Sequence, residues 1–130
     1  MTETGYHDLR QPYRIQKRLA LNQCFRAIYE NWGQQKQIGY VTFGGEDLYD
    51  AMDLVGVFSI REHDIAIVSY EHDRRRAEAS QMCAVATTLS QVETITIDIV
   101  PAPFPAIVDK IQAIRHGRQL IYFLDYTGTF

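Results

Sequence analysis

The chain has 130 residues, 46% hydrophobic and 22% charged, with two cysteines and a formal net charge of −3. This composition excludes a disordered chain, and the length suits one domain or part of one. No apolar run approaches the roughly 20 residues of a membrane helix, and Met1 to Gln11 lacks the apolar core of a signal peptide, so a cytoplasmic location is expected.

Charge is unevenly placed. Residues 1–37 carry six Lys/Arg against three Asp/Glu, whereas residues 38–130 carry seven against thirteen. The first stretch reads as a helical leader and the second as the main domain. Arg10, Arg14, Lys17 and Arg18 of the leader are candidates for touching nucleic acid or an acidic partner; the alternative is a solvated helix face. Cys24 and Cys83 lack metal spacing and read as buried free thiols of a reducing compartment rather than a disulfide.

In chain order, the first element is a helix from about Lys17 to Trp32. Leu21, Cys24, Phe25, Ile28 and Trp32 recur at steps of three and four, forming one apolar stripe, and Gly33 is placed to end the helix. A lone helix of this length is marginal in water, so the stripe has to pack on another element, most simply a sheet built by the residues after it. Four short apolar runs then alternate with three helix-like stretches. The runs are Ile38 to Phe43, Ile65 to Tyr70, Ile95 to Val100 and Leu120 to Leu124. The helices are Glu46 to Phe58, burying Leu48, Met52, Val55 and Phe58; Arg74 to Ala86, capped by Asp73; and one carrying Ile107, Val108, Ile111 and Ile114, closed by Gly117.

Strand–helix–strand alternation predicts a parallel sheet covered by helices, because parallel neighbours need a long crossover. The third run alternates strictly, Ile95, Ile97 and Ile99 against Thr94, Thr96 and Asp98, which suits a strand with one wet face. The fourth is apolar on both faces and reads as central and buried.

Ligands of such sheets bind beyond the carboxyl ends of the strands, which gives four places. Phe43-Gly44-Gly45-Glu46-Asp47 comes after the first run; paired glycines allow close ligand approach there, or simply a tight turn. Glu71 closes the second run, where an acid accepts hydrogen bonds from ribose hydroxyls. Pro101-Ala102-Pro103-Phe104-Pro105 is a stiff loop after the third. Asp125 and Tyr126 close the fourth, facing the same crevice. Glu46 and Asp47 would repel phosphate from the helix start and favour a cationic ligand. No Gly-Lys-Ser/Thr comes after the first run, so a P-loop is excluded. His7, His63, His72 and His116 show no metal spacing and read as solvated; no metal site is expected.

A leading helix, strand–Gly-Gly–helix, an acid closing the second strand and Asp-Tyr closing the fourth resemble the first half of a class I S-adenosylmethionine-dependent methyltransferase. The resemblance covers about residues 38–130, by layout more than by motif. It implies a Rossmann-like α/β sheet of strand order 3-2-1-4 with helices on both faces, and S-adenosylmethionine as cofactor. By position, Phe43, Gly44, Gly45 and Glu46 would cradle its methionine end, Glu71 its ribose and Phe104 its adenine. Asp125 and Tyr126 would line the acceptor pocket. Thr42 departs from the family, standing where an acid often precedes the glycines. Two rival readings stand beside it: a nucleotide- or NAD-binding oxidoreductase domain, and a non-catalytic Rossmann-like interaction module. The stop soon after the fourth run suggests an incomplete domain, inactive alone and self-associating through residues 120–125.

Overall fold

The computed structural model describes residues 12–32, 34–45, 47–58, 62–86, 93–104 and 108–124. The elements run α1 (Pro12–Trp32), β1 (Gln37–Thr42), α2 (Tyr49–Val57), β2 (Asp64–Tyr70), α3 (Arg74–Ala86), β3 (Ile95–Val100), α4 (Asp109–Arg115) and β4 (Gln119–Phe123). The four strands form one parallel sheet of order β3-β2-β1-β4. The expected Rossmann-like α/β architecture is therefore present. Among the described residues, no helix is long and apolar enough to cross a membrane.

Side-chain alternation along the strands builds two cores. Ile38 and Tyr40 of β1, Ile65 and Ile67 of β2, Ile95 of β3 and Ile121 of β4 point to one face. There they meet Leu21 and Phe25 of α1, Leu48 at the start of α2, Ala51 and Leu54 of α2, Phe58 just after it and Ala84 of α3. Val41, Val68, Tyr70 and Val100 point to the other face and meet Ile111 of α4. The split follows from right-handed crossovers: β1-to-β2 and β2-to-β3 step one way across the sheet, and β3-to-β4 steps back.

α1 belongs to this core. Phe25 packs edge-to-face on Tyr40, 5.7 Å between ring centroids. The helix starts at Pro12, five residues earlier than its periodicity suggests, since proline fits a first helical turn whose N–H groups need no partner. Its stripe is narrower than expected. Leu21 and Phe25 are buried and Ile28 half-buried, while Cys24 and Trp32 are exposed, Trp32 being the last helical residue. Gly33 lies outside the described residues. The thiol expectation is corrected too: Cys24 and Cys83 are free, but one is exposed and the other half-buried.

Further expectations are corrected. α2 begins at Tyr49 rather than Glu46, because Leu48 takes a left-handed conformation at φ 54°. Its buried line is Leu48, Ala51 and Leu54, with Met52 and Val55 only half-buried. β4 is an edge strand rather than a central one, and Tyr122 on it is exposed. In α4, Ile111 is buried and Ile114 half-buried, but Val108 is exposed; Ile107 lies outside the described residues. His63 is buried rather than solvated, its ring against Phe58 and Tyr29.

Other signals hold as read. Asp73 Oδ1 accepts hydrogen bonds from the N–H groups of Arg75 (2.9 Å) and Arg76 (3.2 Å), capping α3. Gly117 comes after α4 at φ 72°, the conformation that makes glycine the common terminator. At the amino edge of the sheet, Arg118 donates to the carbonyls of Ile38 (3.2 Å) and Asp64 (3.0 Å). It also pairs with the Asp64 carboxylate at 2.9 Å, tying β1 and β2 to the start of β4.

Candidate functional site

Parallel strands bring all four carboxyl ends to one edge of the sheet, and the turn from β1 into α2 lies at its middle. Gly44 is closely packed there, and a larger residue would require its neighbours to shift. A Cβ on it would meet Leu48 Cδ2 at 2.6 Å and Ser69 Oγ at 3.0 Å. The Gly44 N–H donates to Ser69 Oγ at 3.0 Å. Gly45 turns the chain at φ 65°, and its carbonyl accepts the Ser80 hydroxyl of α3. Cys83 of α3 reaches the Asp47 carbonyl at 3.3 Å. Burial first, and then the nearby Asp47 charge, push the Cys83 thiol pKa up. The space expected to admit a ligand against Gly44 is thus filled by Leu48 of the same chain.

Beneath the turn lies a group that periodicity does not single out. Asp50, in the first turn of α2, is 1% exposed. Its Oδ2 accepts the Tyr40 hydroxyl at 2.8 Å and the Thr42 hydroxyl. Its Oδ1 would stand 3.5 Å from a Cβ on Gly44. Thr42 thus lacks the strand acid but binds one brought by the next helix. One signal is available in the sequence: Tyr40 and Thr42 share a strand face, so two hydroxyls point toward the next helix.

Glu71 closes β2, its backbone N–H bonded to the Val100 carbonyl at 2.9 Å. Its side chain is only 10% exposed. Oε1 accepts the Asp73 N–H at 2.9 Å, so the carboxylate turns back onto the loop that starts α3. The exposed His72 ring lies 3.6 Å away.

Phe43 and Phe104 do come together. Phe104 packs edge-to-face on Phe43 (5.8 Å) and on Tyr70 (5.2 Å), an aromatic group on the α4 face of the sheet. Burial, then the Asp98 charge and then Tyr122 raise the Tyr70 pKa. Glu46, Asp125 and Tyr126 lie outside the described residues.

Two further surfaces stand out, the first of them at this same carboxyl edge. An open groove of about 310 Å³ runs between α3 and the β3 end, lined by Arg74, Ala77, Glu78, Gln81, Ile99 and Pro101. In the basic leader, Arg18 binds Asp53 of α2 through Nε (2.7 Å) and Nη2 (2.8 Å) and lies over the Tyr49 ring at 4.6 Å. That guanidinium joins α1 to α2. Arg10 and the Arg14 side chain are outside the described residues, and Lys17 is half-buried. Among the described residues no group of three His, Cys, Asp or Glu side chains gathers as a metal site would.

No protein-family model matches this chain, and no curated protein or solved structure is found to be similar to it.

Proposed function

We propose that the carboxyl edge around the β1–α2 turn and Glu71 binds S-adenosylmethionine, as the cofactor portion of a methyltransferase with an unidentified acceptor. The observation that carries this reading is Glu71: a carboxylate 10% exposed, closing the strand next to the one that ends in Gly44-Gly45. A carboxylate offers about four lone-pair sites. The Asp73 N–H uses one, which fixes the group and leaves acceptor capacity for ribose hydroxyls. Phe43 and Phe104 supply aromatic surface for an adenine, and the turn supplies backbone groups for the methionine end together with Glu46. Asp125 and Tyr126 are proposed for the acceptor side.

The bound cofactor supplies an electrophilic methyl group. The chain's part is to hold cofactor and acceptor in line and to keep water out. The cytoplasm is the proposed compartment, consistent with two free thiols.

One observation favours a second reading, a non-catalytic interaction module: the open side of Gly44 is packed by Leu48. Calorimetry separates the two. S-adenosylhomocysteine is expected to bind the full chain, and Glu71→Ala to weaken it roughly ten- to a hundredfold, as befits a lost hydrogen bond to a charged group. Equal affinity in the variant removes Glu71 from the site. Absence of binding leaves the interaction module, and binding of NADH instead supports the oxidoreductase reading.

A further inference from the structure

We propose that the outer edge of β3 pairs with β3 of a second copy of this chain, antiparallel about a two-fold axis, so that two four-stranded sheets become one continuous sheet. The inference stands apart from the cofactor reading and does not depend on it.

β3 ends the sheet, with β2 as its one strand neighbour among the described residues. The bonds to β2 fix which of its backbone groups are already engaged. The Ile65 N–H donates to the Thr94 carbonyl (2.8 Å) and the Glu71 N–H to the Val100 carbonyl (2.9 Å). In a parallel ladder with Ile65 beside Ile95, the even-numbered residues of β3 therefore turn their N–H and C=O groups toward β2. Ile95, Ile97 and Ile99 turn theirs outward. Pro101, next in that series, has no N–H, so the row of donors ends there.

An open edge of this kind is a template for another strand. The sequence of β3 is its own complement. Antiparallel pairing centred on Ile97 sets Ile95 against Ile99 of the copy and Thr96 against Asp98. Every outward isoleucine then meets an outward isoleucine in a hydrogen-bonded pair, while the Thr–Asp pairs lie together on the opposite face. Neighbouring registers are worse. Centring on Asp98 opposes two carboxylates and sets Ile95 against Pro101; centring on Thr96 sets Ile99 against Glu93. Asp98 already pairs with Lys110 at 3.1 Å, which offsets the one charge on the strand. α3 leaves room for the copy, because an open groove of about 310 Å³ separates Arg74, Glu78 and Gln81 from Ile99 and Pro101. A two-fold normal to the sheet puts both α3 helices on one face, where Val85 continues the Arg74, Glu78 and Gln81 line and is 63% exposed.

Sedimentation over a wide concentration range is expected to show the wild type in a monomer–dimer equilibrium. Ile97→Pro removes the central outward donor and leaves the β2 ladder intact; it is expected to give a monomer, with circular dichroism checking that it folds. Thr96 is exposed, so Thr96→Asp and Thr96→Lys both spare the fold, and the register separates them. Thr96→Asp creates two like-charge pairs across the axis and is expected to weaken the dimer roughly two- to thirtyfold, whereas Thr96→Lys keeps or tightens it. In hydrogen exchange, the Ile97 and Ile99 amides are expected to gain protection as concentration rises, while those of Thr96 and Asp98 stay protected throughout. A wild type that is monomeric at every concentration overturns the proposal, even if the edge accepts a strand from another protein. So does a dimer that Tyr122→Glu dissociates and Ile97→Pro does not, which moves the contact to the β4 edge. Equal weakening by Thr96→Asp and Thr96→Lys overturns the pairing as well. If Ile97→Pro does not fold, the two Thr96 variants carry the comparison.

Discussion

Gly44→Ala isolates the packing that fixes the β1–α2 turn. The added Cβ lands 2.6 Å from Leu48 Cδ2, closer than real Cβ atoms come, and 3.0 Å from Ser69 Oγ, a tight contact that requires its neighbour to give by a few tenths of an ångström. Leu48 is fully buried, so its Cδ2 can retreat only by displacing the side chains packed around it. Ser69 cannot yield without loosening its bond from the Gly44 N–H. Overpacking typically costs about 1–3 kcal/mol and a weakened hydrogen bond about 1 more, so the loss is set at about 2–4 kcal/mol. Gly44 does not itself have a positive φ, so the alanine backbone is unstrained and the cost is steric. Leu48→Ala alone is expected to cost about 2–5 kcal/mol through the cavity it leaves. If the clash is the cause, the double variant recovers part of the sum, with a coupling of about 1–2 kcal/mol. Urea denaturation of the four proteins measures the cycle. Gly44→Ala within about 0.5 kcal/mol of wild type, or strictly additive losses, refutes the packing argument.

Arg118→Met keeps the aliphatic stem but removes the bonds to the Ile38 and Asp64 carbonyls and the pair with Asp64; a loss of about 1.5–3 kcal/mol is expected by urea denaturation, and none if the guanidinium is merely solvated. Asp73 has a pKa held below its ordinary 3.8, chiefly by the Arg76 N–H, so its contribution to α3 is complete above that value and is lost as pH falls through the lower folded pKa. Protection of the amides at the start of α3, taken relative to the intrinsic exchange rate at each pH, is therefore expected to fall on acidification in the wild type and to lose that pH dependence in Asp73→Asn; identical protection profiles would exclude the cap as the cause.

Elements and topology are legible in the sequence because the strands are short runs of β-branched and aromatic residues. Each observed strand lies within one residue of its run. The fourth misleads in one respect: Leu120 to Leu124 is apolar enough for a central strand, yet its place beside β1 leaves it at the edge. Apolarity reports how many faces pack, not how many neighbours bond. The start of α2 is hidden for a local reason. Glu46 and Asp47 are good first-turn residues, and nothing in the residue type at position 48 announces a left-handed leucine, which for a non-glycine residue is held only by surrounding contacts. Asp50 escapes because amphipathic counting treats every acid as outward-facing. Its burial depends on two hydroxyls eight and ten residues earlier, a partnership that spacing along one element does not reveal.

That partnership also bears on what the turn is for. Among the described residues, five polar or charged side chains are buried: Thr42, Asp50, His63, Ser69 and Ser80. Four of them converge on the segment from Thr42 to Asp50, donating to or accepting from its backbone and side chains. Burying polar groups is unfavourable unless each is bonded, and an apolar strand–helix junction would be easier to stabilise. A hydrogen-bonded junction supplies direction instead: hydroxyls and carbonyls lock at fixed angles, whereas apolar contacts slide. A fold that only needed to cover its sheet has no requirement for such a lock at one strand end. A turn that holds a ligand, as proposed, would use such a lock to fix its backbone, and Leu48 packing on Gly44 from within shows that the same lock also serves the fold.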